Sequence, residues 1–217
     1  MKKISVILIL AFLSVCAVAV YFYFKSPTEK KTGQQTMSVS EKINKGFEMM
    51  DGLKKEMPAE LLDVHNYLAQ QISTGKFTLH KAGPEYKDIV MYHDAKSQSI
   101  FINTKAELQT ELWIPIFYHE VAHNYWHTKH PVATEEEFKA QLLDSENYAY
   151  KINAEAWDLV IKNYPVEDKN LNELEKKLFK NYNQETDLYN AMEAGDTTAI
   201  FYWNKIIEAD LQEQKKY

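Results

Sequence analysis

The sequence predicts a mainly α-helical domain with a small β-hairpin or sheet, behind an N-terminal apolar helix. Three observations predict this fold class. Apolar residues recur at helical spacing from residue 41 onward, short β-prone runs interrupt that pattern between residues 75 and 104, and a long apolar run occupies the N-terminus. With 217 residues, 45% of them apolar, the chain is long enough for one globular domain with a substantial core.

Residues 1–25 predict a membrane anchor or a signal peptide. Lys2 and Lys3 precede an apolar run over residues 4–24, which as a helix spans about 31 Å, close to the thickness of the bilayer hydrocarbon. The small residues 17–19 offer a cleavage site, but the apolar character continues past them, which favours an uncleaved anchor. We therefore expect a membrane-anchored domain outside the cytoplasm; a secreted or periplasmic domain after signal cleavage is the alternative.

Cysteine content and charge exclude several classes of protein. Cys16 is the single cysteine, which excludes a disulfide framework and a multi-cysteine zinc site. It ends the sequence Leu13-Ser14-Val15-Cys16, which resembles a lipobox except for its valine, so lipidation is a minor alternative. Residues 26–217 have a net charge of −9 and no arginine, and this composition argues against nucleic acid as a partner.

The remaining chain divides into a polar tether, residues 26–40, and a domain, residues 41–217. Apolar residues at helical spacing predict one helix from Glu41 and a second after Pro58. The β-prone residues 89–92 and 100–102 then predict a hairpin.

Four further helices are expected after the hairpin region. Thr104 and Glu107 form a possible capping box that would open the first of them. Thr134 and Glu137 form another, which begins a helix of about thirty residues that Pro165 ends. The last helices are predicted in the two segments 172–182 and 197–214.

The residues that carry chemistry are His119-Glu120-Val121-Ala122-His123. Residues four apart lie on one face of a helix, so both imidazoles can bind a single zinc ion. Glu120 lies beside them, where it can take a proton from metal-bound water.

This motif, in a helical stretch that follows a hairpin, resembles the zincin metallopeptidases, in which an HExxH helix packs beneath a small sheet. The resemblance implies zinc-dependent hydrolysis of a peptide or protein substrate, with Glu120 as the general base. It also implies that the hairpin strand Ser99–Asn103 holds an extended substrate by edge-strand pairing. A purely structural strand is the alternative.

A catalytic zinc requires a third protein ligand. Trp126 and Lys129 occupy the positions where the metzincin pattern has glycine and histidine, so that subclass does not fit. His127 lies about 12 Å along a helix from His119, too far for both to bind one ion. We therefore expect His127 and His130 at the rim of a pocket or on the surface.

A carboxylate on the following helix, as in the gluzincins, is the remaining source of the third ligand. Glu146 and Glu155 are nine residues apart, which places them on opposite faces of a helix. Glu155 shares its face with charged residues, a pattern typical of solvent exposure, whereas Glu146 lies among apolar residues, where a carboxylate requires a cation. We predict Glu146 as the ligand, with Glu155 as the alternative. Residues 146–150 are also similar to the E-x-x-A-[DY] segment of several gluzincin families.

Peptide hydrolysis also requires a group that stabilises the oxygen on which negative charge develops. Because the chain has no arginine, a tyrosine or histidine is expected in this role. The candidates are Tyr150, Tyr148, Tyr125 and His127, and packing is the alternative role for the tyrosines, of which the chain has 14.

These observations together predict a membrane-anchored, extracytoplasmic metallopeptidase that binds one Zn²⁺. A catalytically silent metal-binding module with a binding or regulatory role is one alternative. An anchored helical scaffold in which the motif is accidental is the other. Glu120 favours the enzyme over the silent module, because a domain that only binds metal has no use for a base at this position.

Overall fold

The computed structural model describes residues 37–86, 89–94 and 97–214. The predicted anchor and residues 26–36 of the predicted tether lie outside the described residues. Within the part of the chain that is described, no helix combines the length and apolarity needed to cross a bilayer. The predicted C-terminal end of the tether, residue 40, is wrong by two residues, because Ser38 caps a helix that begins at Val39.

Helices dominate the described residues, and a three-stranded sheet accompanies them, which confirms a mainly α fold with a small sheet. The helices are α1 (Val39–Gly52), α2 (Ala59–Ser73), α3 (Thr110–Lys129), α4 (Glu135–Asn163), α5 (Glu173–Glu193) and α6 (Thr197–Gln214). The strands are β1 (Leu79–Lys81), β2 (Met91–Asp94) and β3 (Ser99–Ile102).

The sheet has the strand order β1-β3-β2. The predicted hairpin is confirmed, because β2 and β3 pair antiparallel with Tyr92 opposite Phe101. The sequence did not predict β1, which pairs parallel to β3. The prediction that Ser99–Asn103 offers an open edge to a substrate is wrong, since β3 pairs on both sides and its backbone is occupied. Of the described strands, β1 and β2 form the two edges of the sheet, and β2 is an edge strand that packs against α3.

Helix α3 begins later than its predicted capping box. Thr104 lies in a turn, and the helix starts at Thr110 with Gln109 as its N-cap, so the prediction of a capping box at Thr104 and Glu107 is wrong. The backbone N–H of Gln109 donates to Oε1 of Glu175 at 2.7 Å. A carboxylate on α5 therefore stabilises the start of α3.

The predictions for the later helices are largely confirmed. Thr134 and Glu137 form the expected capping box, and α4 continues from there for 29 residues. Helix α6 has the predicted bounds. Helix α5 continues eleven residues beyond the predicted segment 172–182, to Glu193.

Helix α3 lies at the centre of the fold. It packs against α1, α2, α4, α5 and the two strands β2 and β3. Its buried apolar residues are distributed around the helix, as expected for a helix enclosed by other elements; they include Leu112, Trp113, Ile114, Phe117, Tyr118, Val121 and Ala122. The HExxH motif is therefore on the most enclosed helix of the described chain.

A hydrogen-bond network centred on the buried His65 fixes α3 beside the motif. Nε2 of His65 lies 3.1 Å from Oδ1 of Asp51, and Nδ1 lies 2.6 Å from the hydroxyl of Tyr118. A carboxylate only accepts, so Nε2 donates to Asp51 and Nδ1 accepts from Tyr118. Because Tyr118 directly precedes His119, this network restricts the rotation of α3 where the motif begins.

Candidate metal centre

Three potential metal ligands meet between α3 and α4. Nε2 of His119 and Nε2 of His123 are 3.2 Å apart. Oε2 of Glu146 lies 3.6 Å from the first of these nitrogens, and Oε1 lies 3.5 Å from the second. Among the described residues, this is the one group of three or more candidate ligand atoms within 4.8 Å of one another.

The spacing of these atoms fits a zinc ion. Bonds of about 2.0–2.1 Å in tetrahedral geometry hold ligand atoms about 3.3 Å apart. The observed separations are 3.2, 3.5 and 3.6 Å. Two imidazoles and one carboxylate also form a ligand set that catalytic zinc sites use with a fourth position left open.

Glu146 is held in its charged form at this position. Its burial acts to raise the pKa, but the charges of His123 and His119 and their hydrogen bonds outweigh that effect and hold the pKa well below its usual value. A carboxylate that is 2% exposed thus stays ionised opposite two imidazoles. This is the protonation state that a metal ligand requires.

Ser145 orients one of the imidazoles, and the sequence analysis did not identify it. Its Oγ lies 2.8 Å from Nδ1 of His123, and its side chain is buried. When Nδ1–H donates to this hydroxyl, Nε2 keeps its lone pair for a metal, and such a second hydrogen bond is usual for metal-binding histidines. Its position beside Glu146 was the one signal that the sequence offered.

Glu120 is buried beside the three candidate ligand residues. Burial raises the pKa of Glu120 to about 8, against the opposing effect of His123, and the charges of Glu146 and Asp210 raise it further. The backbone N–H of His93 acts in the opposite direction and lowers this pKa. A carboxyl group with a pKa near neutrality can both accept and return a proton.

His93 is a second residue of the site that the sequence analysis missed. Its ring stacks on that of His123 with centroids 6.0 Å apart, and on that of His127 at 5.9 Å. Burial lowers the pKa of His93 to about 3, so the imidazole is neutral. Alternation in β2 was the available signal, because His93 shares the face of the buried Met91.

Glu155 lies apart from this group, in a cluster with Lys151 and Tyr189. Its Oε1 accepts a hydrogen bond from the Tyr189 hydroxyl at 3.1 Å and lies 4.0 Å from Nζ of Lys151. The predicted solvent exposure is wrong, because the Glu155 side chain is only 9% exposed. Burial raises the pKa of Glu155, while Lys151 opposes that shift. Helix α5, which supplies Tyr189, covers the face of α4 that carries Glu155. The charge pattern of α4 alone had predicted that this face is exposed to solvent.

The predicted oxyanion stabilisers divide into two pairs. Tyr150 contacts His119 edge to face with centroids 4.9 Å apart, and His127 stacks on His93. Tyr125 and Tyr148 instead contact each other. Tyr125 lies two residues after His123, and Tyr148 lies two residues after Glu146. Two residues correspond to about 200° around a helix, so both tyrosines point away from the candidate ligand atoms.

His127 and His130 lie where the sequence predicts them, at the rim of the site and on the surface. His127 is half-buried between His93 and Phe138, at the margin of the ligand group. His130 is exposed and stacks on Trp126.

Comparison with known proteins identifies no matching family model, and neither curated proteins nor solved structures give a match.

Proposed function

We propose that this chain is a zinc-dependent metallopeptidase of the zincin type, with His119, His123 and Glu146 as ligands and Glu120 as the general base. The observation that carries the proposal is the convergence of these three ligand atoms at zinc-like separations beside a buried carboxyl group. A bound zinc ion would supply Lewis-acid activation of water and of the substrate carbonyl.

Glu120 performs the proton transfers in this mechanism. It takes a proton from water as the water oxygen bonds to the carbonyl carbon of the peptide. The same carboxyl then gives that proton to the amine nitrogen as the carbon–nitrogen bond breaks.

The N-terminal sequence supports an activity outside the cytoplasm. An apolar run over residues 4–24 would anchor the domain in a membrane. Peptides or proteins on the outer side of that membrane are then the substrates.

The test is peptide cleavage by the zinc-loaded full chain, with zinc measured by mass spectrometry. Glu120→Gln should retain zinc and lose cleavage of a peptide library by a factor of about 10²–10⁴, because the amide cannot accept the proton. Glu136→Gln, at an exposed position of α4, is the matched control and should cleave as the parent does. A parent chain that binds zinc but cleaves no peptide would instead indicate a silent metal-binding module.

A further inference from the structure

The open edge of β2 faces the candidate metal centre. The backbone N–H of Asn103 donates to the carbonyl of Val90 at 2.9 Å. Hydrogen-bonded pairs alternate along an antiparallel ladder, so the N–H and C=O of His93 point away from β3. This N–H lowers the pKa of Glu120, so the His93 backbone lies near the proposed base.

The side chain of His93 lies beside the ligand group without belonging to it. Its ring is nearly parallel to that of His123, with 11° between the planes. His93 is absent from the group of ligand atoms within 4.8 Å of one another, so it does not complete that group. Tyr150, in turn, contacts the ring of His119. His93 and Tyr150 therefore flank the two imidazoles.

One ring nitrogen of His93 lacks a partner. Nε2 is buried and makes no hydrogen bond within the described part of the chain. Leaving a buried polar atom without a hydrogen bond is unfavourable, so its persistence in a folded protein suggests a partner that binds there. His123 and His127 both meet the His93 ring by stacking, and stacking does not provide a hydrogen bond to Nε2.

We propose that His93 is a substrate-binding residue whose Nε2 hydrogen-bonds the peptide group held beside His123. The proposal rests on the proposed peptidase function and adds a residue to it. A peptide group offers both a carbonyl acceptor and an N–H donor, so either neutral tautomer of His93 finds a partner in it. The position on β2 suits this role, because it holds the His93 ring beside His123.

Two substitutions separate hydrogen bonding from packing. His93→Phe keeps a flat ring that can stack on His123 but removes both ring nitrogens, and His93→Gln keeps a hydrogen-bonding group. His80→Phe, on the exposed side of β1, is the control for exchanging histidine in this sheet. The probe is acetohydroxamate, a zinc ligand with a peptide-like carbonyl and N–H, titrated calorimetrically into the zinc-loaded full chain.

We expect His93→Phe to keep its zinc and its unfolding midpoint but to bind acetohydroxamate three- to tenfold more weakly, roughly the effect of one hydrogen bond. His93→Gln should recover part of that loss, and kcat/KM for a cleaved peptide should follow the same order. Unchanged hydroxamate binding in His93→Phe overturns the proposal, and so does loss of zinc, which would show that the ring supports the ligands instead. If the parent binds zinc and hydroxamate but cleaves no peptide, the peptidase proposal fails while the hydroxamate series still decides the role of His93.

Discussion

Nδ1 of His123 lies 2.8 Å from Oγ of Ser145, the residue that directly precedes Glu146. One turn of α4 thus contributes both the candidate ligand Glu146 and the hydroxyl of Ser145, which orients the candidate ligand His123 on α3. Ser145 and Glu146 are both buried, at 1% and 2% exposure, so neither can move into solvent without opening the contact between α3 and α4. The geometry of the candidate metal centre and the packing of these two helices therefore depend on each other.

Removing the Ser145 hydroxyl should weaken metal binding without unfolding the chain. Outer hydrogen bonds to metal-binding histidines usually change metal affinity by about 10–100-fold, and we expect a decrease in this range for Ser145→Ala. Competition with a chromophoric chelator measures the affinity. Asp144→Ala, at the exposed neighbouring position, should bind zinc as the parent does. Equal zinc affinity in the Ser145→Ala and Asp144→Ala variants would show that this hydrogen bond does not orient the ligand.

The choice between the two candidate carboxylates can be tested by parallel substitutions. Glu146→Gln should lose stoichiometric zinc, because the amide is a weaker ligand than the carboxylate that faces both imidazoles. Glu155→Gln should retain zinc, since Glu155 pairs with Lys151 and Tyr189. Elemental analysis of the purified variants gives the answer. Zinc loss in Glu155→Gln alone would exclude the proposed ligand set.

Local sequence signals predicted the parts of the fold that depend on neighbouring residues. The capping box of Thr134 and Glu137 satisfies its own backbone groups, so its position could be read from four residues. The start of α3 could not be read from the local sequence. The backbone N–H of its N-cap residue, Gln109, donates to Glu175, which is 66 residues away in sequence. Strand β1 escaped prediction for a similar reason, since three residues carry too little pattern without the partner β3.

The candidate site shows the same division. The spacing of His119 and His123 and the helical phase of Glu146 suffice to predict that they share a site. The exposure of Glu155 was wrongly predicted because the burial comes from α5, which supplies Tyr189. His93 depends on the pairing of β2 and its approach to α3, and no short motif encodes that approach.

A buried carboxyl group on α5 should make the fold less stable as pH rises. Burial raises the pKa of Glu185 to about 8, Asp210 adds to that shift, and the hydrogen bond from Asn153 at 2.7 Å opposes it. Between the ordinary value of 4.5 and about 8, the folded chain holds a proton that the unfolded chain has lost. The free energy of unfolding therefore falls as pH rises through this window.

Glu185→Gln should reduce this pH dependence, because the amide is neutral at every pH and can still accept from Asn153. Urea unfolding at pH values of about 5.5 and 8.5 measures the change, and the variant should gain stability relative to the parent at the higher pH. Asp187→Asn, at an exposed position of α5, is the matched control and should leave the pH dependence unchanged. If Glu185→Gln and the parent lose the same stability between these pH values, Glu185 is not a source of the dependence.

The contact between α1 and the motif helix leaves no room for a side chain at Gly46. A Cβ there would lie 2.9 Å from Cγ1 of Ile114, which is buried on α3. Alanine gains about 1 kcal/mol over glycine in helix propensity, but overpacking typically costs about 1–3 kcal/mol, so Gly46→Ala should lower the free energy of unfolding in urea. Gly52→Ala is the matched control, because a Cβ at that end of α1 meets no atom within 4 Å, and it should leave the stability unchanged or raise it. If both substitutions stabilise the chain equally, α1 and α3 are not in close contact at Gly46.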